Sequence, residues 1–467
     1  MTPRALAAEE QGEVIAFLSR AASYGPGHAG VQRIETHCSI VFLVGDRAYK
    51  LKRAIRYASL DYTTRELRAA ACAAELVLNR RTAPALYLGV RSITRGTGGD
   101  LVFDGAGPAL DHVVVMQRFE QADLFDHMLD GGRLTRVLME ALGREVARFH
   151  LAAQVTPGFG GRDAVRRVIA ENERELARVA EVLDGAAVGA LGSHSAARLD
   201  TLADLLERRR AEGKVRRCHG DLRLANICLH AGRPTLFDCI EFSDEIGCID
   251  VLHDLAFLLM DLELRGRGDL GNAVFNAYAD IAPETEGLRA LPLFLALRAA
   301  TRSYALAGSA RRQASADRAA AVLALARRHI DAGLDFLAPR RPVLAVLGGD
   351  AAARAELAPL LAALPRPAPG ARLLHLAGDG DAVWDAAAAV LAAGCSVLVE
   401  GELREHGERC AAAAAMARLA AASIGFWCTT PPARLDQARW HVLDASRGAL
   451  AAATRAAPLF AALEWPS

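Results

Sequence analysis

The sequence predicts an α+β, two-lobed unit followed by a smaller α/β domain with a parallel sheet. Short apolar runs of strand character, with one helical segment among them, occupy residues 31–119. Apolar residues at three- and four-residue spacing then take over to about residue 337, interrupted by a strand-rich island at Val215–Phe242. Beyond Pro339-Arg-Arg-Pro342, apolar strands alternate with helices, the order of a parallel sheet.

The elements follow in order. Residues 4–22 read as an amphipathic helix, and YGPGHAG breaks it. The strands VQRIE, SIVFLVG and AYKLKR come next, the last two joined by a Gly45-Asp46 hairpin turn. Asp61–Ala83 reads as a helix, with Thr63 and Glu66 at capping-box spacing. ALYLGVRSI, DLVFDG and DHVVVMQRF are further strands; residues 121–215 and Ile249–Leu337 are helical. VLAVLG, RLLHLA, SVLVEG and IGFWCT are the strands of the last domain. These patterns set a first lobe at about 25–120, a second at about 121–338, and a separate domain at 343–467.

Composition narrows the function classes. The 467 residues carry 55 basic and 55 acidic groups, a net charge of zero, so no global field favours nucleic acid or an anionic membrane. Nine cysteines, odd in number and without a Cys-x-x-Cys pair, indicate neither a disulfide framework nor a zinc site, and reduced thiols point to the cytoplasm. The first twenty residues contain adjacent Glu9 and Glu10 and no apolar core, unlike a signal peptide. The longest alanine-rich stretch, Ala411–Cys428, is broken by Arg418 and reads as a helix running into a strand.

CHGDLRLANICLHAGRPTLFDCIEF, residues 218–242, carries the chemistry. Phosphoryl transfer to a hydroxyl needs an acceptor for the proton and ligands for the metal that holds the nucleotide phosphates. Asp221 and Asn226 have the Asp-x-x-x-x-Asn spacing of a kinase catalytic loop, and Asp238 lies twelve residues beyond Asn226. A hairpin centred on Gly232 sets Asn226 opposite Asp238, close enough to share a divalent ion. An amide oxygen and a carboxylate suit magnesium.

A nucleotide site also needs a cation against the phosphates. The chain has only three lysines, and two of them, Lys50 and Lys52, share one face of AYKLKR with Ala48. Ala48-x-Lys50 matches the small-residue-then-lysine pattern of a kinase third strand; Lys50 is the first choice and Lys52 its competitor. Glu75 falls on the apolar face of the following helix, where burial demands a cation, and Lys50 answers it. His150, ending ARFH, reads as a packed cap.

ETHCSIVFL, AYKLKRAIRY, ELVLNRRTAPALYLGV, CHGDLRLAN, FDCIEF and IDVLHDLAFLLMDLE resemble the aminoglycoside phosphotransferase-like kinases. More closely, they resemble bacterial two-domain proteins in which that kinase precedes a P-loop ATP-binding domain. The resemblance implies a bilobal protein-kinase-like fold with Asp221 as base and Asn226 and Asp238 on magnesium. It also implies Lys50 and Glu75 near the phosphates, and an adenine contact at Val115–Arg118, centred on Met116. Arg223 and Ala225 stand where the family pattern has His and Gly. ETHCS replaces a Gly-x-Gly-x-x-Gly loop, leaving Thr36, Ser39 and backbone amides to cover the phosphates, and no Ala-Pro-Glu segment follows Asp238. These absences argue for a small-molecule acceptor over a protein.

The final domain departs from a phosphate-binding loop. LAVLGGDAAARAELA keeps only Gly348 and Gly349, sets Arg354 at the lysine position, and is followed by no lysine anywhere. Glu400 ends the strand where a metal-supporting aspartate is expected. The expectation is an ATP- and magnesium-dependent cytoplasmic phosphotransferase acting on a small-molecule hydroxyl, with neither nucleic acid nor membrane as partner and an inactive, degenerate P-loop-like domain. The alternative is an inactive nucleotide-binding or interaction protein.

Overall fold

The computed structural model describes residues 8–464 except 58, 314, 363, 365–369, 371, 379, 404, 420–421, 430–439, 444 and 446–447. The chain divides into two compact units, Met1–Arg133 with Arg217–Cys248, and Leu134–Arg216 with Ile249–Ser467.

In the first unit, six strands form a sheet in the order β1-β2-β3-β6-β4-β5, every pair antiparallel. They are β1 (Gln32–Glu35), β2 (Ser39–Val44), β3 (Arg47–Lys52), β4 (Tyr87–Arg95), β5 (Leu101–Phe103) and β6 (Ala109–Gln117). Gly45, at φ +54°, makes the tight turn between β2 and β3. The apolar run of β2 arises because both faces are covered. Ile40, Phe42 and Val44 pack with Val14, Phe17 and Leu18 of α1 (Ala8–Leu18). Leu43 faces the other way, with Cys72 of α2 (Arg65–Asn79). Residues 4–7 of the expected first helix lie outside the described residues.

The α2 helix differs from its expected bounds at both ends. Asp61 accepts hydrogen bonds from the Thr63 amide (3.0 Å) and hydroxyl (2.6 Å), so Thr64, not Thr63, caps the helix by accepting from the Leu67 amide. The helix ends at Asn79, short of the expected Ala83, where Pro84 disfavours helical backbone. One buried polar cluster ties the unit together. The Arg68 Nε donates to both Asp111 oxygens at 2.9 and 3.0 Å, and the Gln11 amide donates to the same carboxylate at 2.7 Å and to the Lys52 carbonyl at 2.9 Å.

α3 (Phe125–Asp130), a hairpin of β7 (Ile227–His230) and β8 (Arg233–Leu236), and a one-turn helix at Asp244–Gly247 also belong to this unit. The hairpin corrects the expected register. Its centre falls between Ala231 and Gly232, not on Gly232: His230 pairs with Arg233 and Ile227 with Leu236. Ala231 and Gly232 both take left-handed backbone, φ +49° and +74°, the two-residue turn that matches strand twist. Asn226 therefore faces Phe237, whose amide donates to the Asn226 carbonyl at 3.0 Å, and Asp238 lies one residue further on.

The second unit contains the helices α4 (Arg136–Ala152), α5 (Gly161–Ala177), α6 (Gly185–Ala211), α7 (Val251–Leu264), α8 (Gly268–Ala279), α9 (Leu291–Ala310) and α10 (Ala316–Leu337). α7 is buried along almost all of its length. On α4, His150 is buried and bonded, Nδ1 to the Tyr278 hydroxyl and Nε2 to Asp254, each at 3.1 Å. The expected parallel sheet is present. Its strands are β9 (Leu344–Gly348), β10 (Leu373–Ala377), β11 (Ser396–Glu400), β12 (Ser423–Trp427) and β13 (Trp440–Val442), in the order β10-β11-β9-β12-β13. Helices α11 (Ala351–Ala362), α12 (Asp381–Ala392), α13 (His406–Leu419) and α14 (Ala449–Glu464) accompany it; β13 and α14 were not foreseen.

The edge strand β10 is covered by side chains instead of a further strand. Asn272 exchanges hydrogen bonds with the Leu373 main chain at 3.1 Å each way. Asn276, one turn later on α8, accepts from the His375 amide at 2.7 Å. Two amides at helical spacing thus satisfy groups that an open sheet edge would expose. Among the described residues, no helix is long and apolar enough to cross a membrane.

Candidate active site

The loop entering the β7–β8 hairpin builds the site. His219 is fully buried; its Nδ1 accepts from the Asp221 amide at 3.3 Å and its Nε2 lies 2.9 Å from the Phe237 carbonyl, an arrangement that requires the proton on Nε2. Gly220 takes φ +84°, and a Cβ there would meet Ile240 at 2.9 Å, so the turn demands glycine. The Asn226 Nδ2 donates to the main-chain and carboxylate oxygens of Asp221, each at 2.8 Å. Arg223 grips the same carboxylate with two hydrogen bonds, at 2.7 and 2.8 Å.

Beyond the hairpin, the end of α2 holds the returning chain. Thr82 donates to the Leu236 carbonyl at 2.8 Å, and Asn79 accepts from the Cys239 amide at 2.9 Å. The Asp238 amide donates to the Tyr87 hydroxyl at 3.1 Å. Asp238 itself has φ +61°, a conformation that few non-glycine residues adopt. Its carboxylate accepts from Lys50.

Both lysines meet one carboxylate. Glu75 is fully buried; its Oε1 accepts from Lys50 at 2.7 Å and its Oε2 from Lys52 at 2.6 Å. Lys52 also pairs with Glu241, which accepts from the Tyr62 hydroxyl. Burial alone would raise the Glu75 carboxyl, but the lysines overcome it and hold the group at about 2. Burial works against both ammonium groups; Asp238 and Glu75 more than offset it for Lys50, as Glu75 and Glu241 do for Lys52, and both stay charged. The expected Lys50–Glu75 contact is therefore present, and Lys52 makes its counterpart.

Lys50, Lys52, Tyr62 and Glu241 line one cleft of about 530 Å³, and Glu75 lies buried behind them. Leu43, Ala48, Met116, Phe119 and Phe237 make an apolar end, where the Phe119 and Phe237 rings meet edge to face at 5.2 Å. Lys50, Asp221, Asn226 and Asp238 make a polar one. Thr36 and Ser39 also line the cleft. The Thr36 hydroxyl, however, accepts from the Ser39 amide and donates to its carbonyl, both at 3.0 Å, so it is engaged in closing its own turn. Burial pushes the neighbouring Cys38 thiol up to about 11, which disfavours a thiolate nucleophile.

The parallel sheet carries a second, polar cluster. Asp350 accepts from the Ala352 and Ala353 amides at the start of α11. Arg354 donates to the Gly349 carbonyl at 2.7 Å and to Glu400 at 3.3 Å, and His375 lies 2.9 Å from the other Glu400 oxygen. The bonds from His375 and Arg354 keep the Glu400 carboxyl below its ordinary range against the effect of burial.

A model of the phosphotransferase enzyme family matches residues 41–291, more than half of the chain and the segment that carries the site. The chain belongs to that family. Uncharacterized proteins of Mycobacterium tuberculosis and Mycobacterium bovis are each 34% identical over 275 residues, 58% of this chain. The match spans 53% of those relatives' length.

Among solved structures, the chain is similar to a choline/ethanolamine kinase family protein of Mesorhizobium loti (14% identity, 70% of this chain and 95% of that one, TM-score 0.41). It is also similar to an ethanolamine kinase of Plasmodium vivax (12%, 65% and 81%, TM-score 0.40) and to an aminoglycoside phosphotransferase (15%, 68% and 98%, TM-score 0.41).

Four groups of the site escaped the sequence reading: the Arg223 grip on Asp221, and the contacts of Glu241, Tyr62 and Tyr87. Glu241 had one available signal, a second carboxylate three residues after Asp238 in a segment otherwise apolar.

Proposed function

We propose that the chain is a cytoplasmic, ATP- and magnesium-dependent phosphotransferase that moves the γ-phosphoryl group to a hydroxyl of a small molecule. The observation that carries this reading is the meeting of Asp221, Asn226, Asp238 and Lys50 at the polar end of one cleft whose other end is apolar. The apolar end suits an adenine ring beside Met116, and Lys50 suits the phosphates. The donor set fits magnesium. The Asn226 Nδ2 is committed to Asp221, so its side-chain Oδ1 is the atom it offers a cation, and the Asp238 carboxylate already holds the ammonium of Lys50. When bound, the ion supplies charge neutralisation across the β- and γ-phosphates.

In the proposed reaction Asp221 orients the acceptor hydroxyl and takes its proton. The acceptor oxygen forms the new bond to the γ-phosphorus while the bond to the bridging oxygen breaks, and ADP leaves. The Arg223 contacts hold the Asp221 carboxylate in its ionised form, and its oxygens keep acceptor capacity for the hydroxyl. The kinase unit would span residues 1–338 in two lobes, with a P-loop-like domain from 343 to 467. That second domain is read as inactive because Asp350 occupies the helix-terminal amides and Arg354 is turned onto Gly349 and Glu400.

A second reading, a nucleotide-binding protein without transfer, draws on the bidentate Arg223 grip on Asp221. One experiment separates the two: a metabolite panel assayed for ADP release, with Asp221→Ala as blank. Acceptor-dependent release absent from the blank supports the enzyme. Magnesium-dependent ATP binding with no release across the panel favours the binding protein.

A further inference from the structure

Lys52 is the part of the site that the proposed reaction leaves unused. It is only 1% exposed, yet it lies on the cleft wall beside Lys50 and shares its face of β3. Its main chain is fixed through Gln11, which donates to the Lys52 carbonyl and is itself tied to Asp111. Its ammonium joins Glu75, Glu241 and Tyr62.

Consider the charges in the order in which a nucleotide would meet them. Lys50 faces two carboxylates, Glu75 and Asp238. Asp238 would be held by the metal, and Lys50 would then keep Glu75 alone. If Glu75 had no other partner, a fully buried one-to-one pair would cancel most of the Lys50 field at the phosphates. Glu75 does have another partner, because its second oxygen is held by Lys52 at 2.6 Å. Lys52 also faces Glu241, so the four groups balance in charge; within them Glu75 is divided between two ammonium groups, and Lys50 is the more exposed of these, 13% against 1%.

We propose that Lys52 is a positioning residue: by sharing Glu75 it releases Lys50 charge for the nucleotide phosphates. This rests on the nucleotide reading of the cleft. The competing role is structural, with Lys52 present only to neutralise buried Glu241.

Calorimetric titration with magnesium and a non-hydrolysable ATP analogue, alongside thermal unfolding, separates these roles. Glu241→Gln keeps the Tyr62 partner, leaves Lys52 on Glu75 and removes a carboxylate that competes for it; its affinity should be no weaker than wild type. Lys52→Met/Glu241→Gln removes one charge of each sign, so the melting temperature should recover relative to Lys52→Met alone. Its affinity should nonetheless fall by about 10–100-fold, by analogy with the loss of a group that orients a metal ligand. Wild-type affinity in the folded double variant overturns the proposal. So does an equal loss in Glu241→Gln, and that variant decides the question even if the double variant does not fold. If the wild-type protein binds no analogue, the nucleotide reading of the cleft itself falls, an outcome distinct from the other two.

Discussion

The Asn226 side chain holds Asp221 at two points, donating through one nitrogen to its main-chain oxygen and its carboxylate, both at 2.8 Å. The five-residue separation thereby becomes a rigid loop in which an acidic oxygen and an amide oxygen are presented together. The spacing of the motif is a consequence of that closure, and its chemistry can be tested one group at a time.

Asp221→Ala should lower acceptor-dependent ADP release by about 10²–10⁴-fold, the range of a lost general base. The affinity for an ATP analogue should change little, because Asp221 is proposed to meet the acceptor. Steady-state turnover and calorimetry together check the split.

Lys50→Met should reduce turnover by about 10²–10³-fold, as for other single electrostatic contacts to a reacting group. An undiminished rate would exclude Lys50 from that role and shift attention to Lys52.

Asp238→Asn preserves shape and removes charge. Magnesium should then enhance analogue binding far less than in the wild type, with turnover lower by on the order of a hundredfold. Titrations with and without magnesium measure both effects.

Asp111→Ala should destabilise the first unit by about 3–5 kcal/mol, the scale for stranding one member of a buried ion pair. Arg68 is only 1% exposed and would lose its carboxylate, and Gln11 would lose an acceptor. Urea denaturation provides the measurement.

Acid should weaken the fold partly through Glu75. Its carboxyl sits at about 2 in the folded protein against an ordinary 4.5. A carboxyl lowered by folding contributes stability that is present above the unfolded value and lost as the pH falls toward the folded one. Unfolding free energy should therefore decline between about pH 4.5 and 2, and Glu75→Gln should flatten that slope in urea titrations at stepped pH.

Much of this was legible in residue order because local rules produce it. Strand alternation set Lys50 and Lys52 on one face, helical spacing turned Glu75 inward, and the Gly45-Asp46 turn joined β2 to β3 as read. Short-range competition misled the reading by one residue in two places. Asp61 took Thr63 from the helix cap, and the two-residue turn at Ala231-Gly232 moved the partner of Asn226 by one residue, from Asp238 to Phe237. Both errors come from hydrogen bonds and backbone angles that compete at nearly equal cost, which spacing does not rank.

By itself the sequence determined which chemical groups exist and which of them share a strand, a helix face or a turn, because those relations depend on periods of two and 3.6 residues. Only the tertiary structure decided that Glu75 serves two lysines, that Arg223 grips Asp221, and that Glu241 and Tyr62 close the network. Such contacts join segments up to 189 residues apart, and their pairing follows from how buried charges find partners as the chain packs.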